Sequence, residues 1–111
     1  MNRKRNITTA VAAPVHPSVS LLVAEHIGAI ANHERLFQLN DWGLVEQDEV
    51  RMALGPVDEI LIEICAARPS EASEIELRRA YLRNVLPDAI YDNKALTEEV
   101  VVAFIGRAGR S

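Results

Sequence analysis

A single cysteine in 111 residues leaves the chain without an internal disulfide framework, so the fold must hold by burial alone. Cys65 sits among Ile62, Ile64 and Ala66, the setting of a small buried hydrophobe, and a reducing, cytoplasmic compartment is expected. Long apolar runs are lacking too. The longest uncharged stretch, residues 6–24, is broken by Pro14, His16 and Pro17 and is too polar for a membrane-spanning helix, which needs about 20 apolar residues. There is no glycine-rich phosphate loop. No Glu is followed three residues later by His, which excludes the helical di-iron pattern. No constellation has the specificity of a catalytic or cofactor motif, so no cofactor is expected and an enzyme is not.

What is present is helical periodicity. Val19, Val23, His26, Ile30, His33 and Phe37 form one stripe at heptad-like spacing, and Val50, Leu54, Val57, Leu61 and Ile64 form a second. Between them Asn40-Asp41-Trp42-Gly43 can end one helix and turn the chain. The spacing predicts an all-α fold built on an antiparallel helical hairpin, with helices over about 18–39 and 45–68. Ser18 is placed to cap the first of them. Gly55-Pro56 interrupts the second stripe, but Val50, Val57 and Ile64 keep strict sevenfold spacing through it, which favours one helix kinked there.

Two shorter helices follow. Ser73 with Glu76 fits a capping box and predicts a helix over 73–86, stopped by Pro87. Thr97, with Glu98 and Glu99 in the first turn, predicts a last helix over 97–106. Gly28, inside the first helix, implies either a close helix contact or simple tolerance. Residues 1–17 read as a flexible basic arm carrying Arg3, Lys4 and Arg5, residues 18–106 as one helical domain, and 107–111 as a tail.

Charge is uneven. Residues 41–76 hold ten acids against Arg51 and Arg68, whereas 78–111 hold six bases against four acids. The acidic surface is wrong for duplex DNA, so a nucleic-acid contact would fall to the arm or to Arg78, Arg79 and Arg83 of the third helix. Arg79 and Arg83 share a face with Tyr81 between them and could grip an acidic partner; alternatively Glu76, three residues before Arg79, pairs locally. Trp42 is either a plug over the hairpin end, the favoured role, or an exposed anchor for a partner.

His26 and His33 are the metal candidates that the chain offers. Seven residues separate them by about 10 Å along a helix, too far to share one ion unaided, so they are expected as seam histidines and no metal site is expected. The functional expectation is a non-enzymatic helical interaction or regulatory protein. It binds a protein partner, self-associates, and uses Trp42, Arg79, Tyr81 and Arg83. A nucleic-acid-binding regulator using the arm and the third helix is the alternative.

Overall fold

A computed structural model describes residues 18–106; the expected arm and tail lie outside the described residues. The fold is all-α, with α1 over Val19–Asp41, α2 over Gln47–Met52, α3 over Leu54–Ala66, α4 over Ala72–Ala89 and α5 over Lys94–Ile105. The hairpin is antiparallel: the Asn40 side chain donates to the Val45 carbonyl at the turn, His26 lies by the Val57 backbone, and Leu22 shares a cluster with Leu61 and Ile64.

Ser18 caps α1 as its sequence position implies, its hydroxyl accepting from the Leu21 amide at 3.1 Å. At the other end the Leu44 and Gly43 amides donate to the Leu39 and Asn40 carbonyls, with Gly43 at φ +79°. That is a Schellman closure, which needs a left-handed residue and finds glycine there. Gly28 has open space where a Cβ would stand, so tolerance is the right reading within one chain. Gly28→Ala is therefore expected to raise stability by about 0.5–1 kcal/mol in a thermal melt.

The kink falls at Ala53 and not at Gly55-Pro56. Pro56 has no amide to give the Met52 carbonyl four residues back, so the ladder opens upstream of the proline itself. Ala53 keeps right-handed dihedrals (φ −71°, ψ −12°), which is why the segment bends without unravelling. The break also shifts the stripe: Ala53 is buried and Leu54 is exposed, while Val50, Leu61 and Ile64 are buried as expected. The segment ends at Ala66 instead of Arg68, because Ala67 is already extended.

The later helices begin earlier than their expected caps. α4 starts at Ala72 with Glu71 at the cap position, so Ser73 is already helical and forms no capping box. It also runs through Pro87 to Ala89, since a proline in the last turn withholds only the bond to the exposed Arg83. α5 starts at Lys94, because the Asn93 side chain accepts from the Leu96 amide at 3.1 Å and takes the capping role given to Thr97. The Thr97 hydroxyl instead donates back to the Asn93 carbonyl at 2.8 Å. Gly106, left-handed at φ +75°, closes α5.

α3 is the central strut. Leu61, Ile64 and Cys65 are fully buried and meet Leu22 of α1, Leu82 of α4, and Leu96, Val100 and Ala103 of α5 in one cluster.

Candidate functional site

The hairpin turn carries an apolar surface that the core does not use. Trp42 is 66 % exposed, and Leu44 and Met52 are similarly bare. The plug reading of Trp42 is thus overturned: the Schellman closure satisfies the end of α1 with backbone groups, leaving the indole nothing to cover. Phe37 on α1 is open as well. It is in helical phase with the buried Val19 and His26, yet it is 53 % exposed, because the facing helix α2 is only six residues long. Both Phe37 and Trp42 therefore leave more than half of their surface to water.

The basic cluster on α4 is divided by the fold. Arg78 points inward: its Nε donates to the Ile64 carbonyl at 2.9 Å, its Nη2 to the Cys65 carbonyl at 2.6 Å, and its guanidinium lies 5.4 Å from the Phe104 ring centroid. Arg79 pairs with Glu76 at 3.1 Å in water-exposed surroundings, the local pairing weighed from sequence. Arg83 is exposed. Tyr81 does not stand between them as a surface anchor; it is half-buried and shares a 2.6 Å hydrogen bond with His26 Nδ1. Arg79 and Arg83 are therefore the outward bases of this helix.

Sequence reasoning missed three tethers. Arg68 donates to the Cys65 and Ala67 carbonyls, and its Nη2 reaches the Ala103 and Phe104 carbonyls at 2.9 and 2.7 Å, so with Arg78 it caps the ends of both α3 and α5. A base just past a helix end is a legible cap signal, which Arg68 gave. Nothing local announced Arg78, or Glu74, whose carboxylate accepts from the Val19 amide and caps α1 from another helix.

The histidines stay apart in role. His33 is half-buried with its ring 6.4 Å from Phe37. His26 is 2 % exposed, edge-on to Tyr81, with a buried Nε2 that has no hydrogen-bond partner. Burial pushes its pKa below the ordinary 6.5; the Val57 backbone lies close enough to favour the charged ring in part, without closing a bond to Nε2. The unfolded chain therefore takes up the proton more readily, so stability is intact above 6.5 and is lost as pH falls below it. Melting temperature is expected to drop between about pH 7 and pH 5, and the drop to shrink in His26→Gln; equal pH profiles for the two proteins would refute this assignment.

Burial pushes the Cys65 thiol up to about 11, opposed by Arg78 and Arg68, which makes it a packing residue and a poor nucleophile. Asp58 on α3 is also pushed up, by burial first and then by Glu99 of α5. Among the described residues no group of three or more His, Cys, Asp or Glu is arranged to hold a metal ion. No helix among them is long and apolar enough to cross a membrane.

Comparison with known proteins found no matching family model, no matching curated protein and no matching solved structure.

Proposed function

We propose that the protein is a non-enzymatic interaction protein, an all-α scaffold that docks a protein partner and self-associates. The observation that carries this reading is the set of bare apolar side chains toward the hairpin turn, where Trp42 and Leu44 are about two-thirds exposed and Phe37 keeps the phase of the core but faces water. Leaving such side chains bare costs solvation, and occupancy by a partner recovers it. A free, buried Cys65 suits a reducing compartment, and the cytoplasm is the proposed location.

Light scattering across dilution, with apolar-dye binding, tests self-association. Proteins retained from native extract by the wild-type chain and lost with Trp42→Ser would mark the turn as the docking site. A single-chain mass at every concentration, together with identical retention by the two proteins, would overturn the proposal.

A further inference from the structure

The turn between α1 and α2 holds two large apolar side chains in water on a pinned backbone. Trp42 and Leu44, two residues apart and so within about 7 Å of each other along the backbone, are 66 % and 67 % exposed. Three hydrogen bonds close the loop that carries them. The Gly43 amide donates to the Asn40 carbonyl and the Leu44 amide to the Leu39 carbonyl, each at 2.9 Å, and the Asn40 side chain donates to the Val45 carbonyl at 3.0 Å. A partner meets a backbone already ordered, so less conformational entropy is lost when the indole is covered. Tryptophan is among the residue types most enriched as binding anchors.

Charge selects the partner. From Asp41 to Val50 the chain carries four acids, Asp41, Glu46, Asp48 and Glu49, and no base, and all four are exposed. Asp48 pairs with Arg51; the other three have no ion-pair partner among the described residues. Glu46 and Glu49 serve the capping box of α2, which is a local reason for them. Asp41 has no such reason. It lies in the last turn of α1, where aligned backbone dipoles favour a cation, and that turn holds no base. Arg35, the base of α1, is engaged with Asn32 at 2.9 Å. Phosphates of lipid or nucleic acid carry the wrong sign for this surface, and the identical turn of a second copy would repel it. Building on the docking proposed above, we infer that the turn takes a basic, amphipathic segment of a partner protein, whose apolar side chains cover Trp42 and Leu44 and whose lysines or arginines answer Asp41 and its neighbours.

Trp42 is the single tryptophan of the chain, so its emission reports this surface without a label. An amphipathic helical peptide of Leu and Lys, about 18 residues or five turns long, is titrated into the full chain in about 0.1 M salt, where charges more than about 10 Å apart are screened. It is expected to shift the Trp42 emission to the blue with a micromolar dissociation constant, and the same peptide with Glu for Lys to leave it unshifted. Asp41→Lys is expected to weaken the Leu/Lys peptide at least about threefold, whereas Glu25→Lys, an equal change of charge about 24 Å away along α1, leaves its affinity unchanged. A base in the last turn suits the helix, so weaker binding by Asp41→Lys is not a loss of fold. No shift with the Leu/Lys peptide, an equal shift with the Leu/Glu peptide, equal effects of the two charge changes, or a larger shift with phosphatidylglycerol vesicles would each overturn the basic partner. So would a blue shift that grows with the concentration of the chain alone, which assigns the turn to a second copy. If any of these occurs while retention from native extract is still lost in Trp42→Ser, docking at the turn stands and only the chemistry of the partner is refuted; if retention is unchanged as well, both fall.

Discussion

Leu61→Ala is expected to cost about 3 kcal/mol and to lower the melting temperature by more than about 10 °C. Leu61 is fully buried in α3, the helix that α1, α4 and α5 all meet, so a shortened side chain leaves a hole walled by three other helices. None of these can move inward without giving up its own contacts. Leu54→Ala supplies the contrast. By spacing, Leu54 belongs to the same stripe, but it is exposed after the bend at Ala53, and its loss is expected to cost well under 1 kcal/mol. Denaturant melts of the two variants measure the difference directly; equal losses would show that the bend does not exist in solution.

Arg78→Met is expected to cost about 2 kcal/mol, although it replaces a charged side chain with an apolar one of similar length. Two carbonyls at the end of α3, on Ile64 and Cys65, lose charged donors, and the Phe104 ring loses the cation lying over it. Arg68 still reaches Cys65, so the helix end is weakened and not abandoned. Arg79→Met, one residue along, removes only an exposed pair with Glu76 and is expected to change stability by less than about 0.5 kcal/mol. If the two substitutions cost the same, Arg78 does not hold the α3 end in solution.

These contrasts show where sequence reading succeeds. Periodicity located the hairpin, its turn and the cap at Ser18, because those depend on neighbours within a few residues. Pro56 was recognised as a disturbance, but its effect acts four residues back, where spacing alone places nothing. Asn93 outcompeted Thr97 for a cap because both types suit the role, and only the packing of α5 chooses between them. The surface was harder still. Trp42 in a turn reads as a plug before it reads as an anchor, and the difference depends on whether backbone groups already close the helix end. Arg78, Arg79 and Arg83 look equivalent along the chain. Their division into one inward tie and two outward bases depends on where α3 ends in space.

The attachment of α4 sets how the molecule opens. Among the described residues Leu82 is the one buried side chain that α4 contributes, against three each from α3 and α5. Val85, Leu86 and Ala89 are only partly buried against the core, and two polar ties join α4 to α1, Glu74 to the Val19 amide and Tyr81 to His26. Apolar burial resists separation in proportion to area, whereas a pair of hydrogen bonds is readily exchanged for water. Helix α4 is therefore expected to swing free before α3, at a free energy below global unfolding, and hydrogen exchange should show its amides exchanging ahead of those of α3. Such an opening would uncover the His26 ring, whose burial disfavours its charged form, so in mild acid protonation of the uncovered ring is expected to oppose the helix's return.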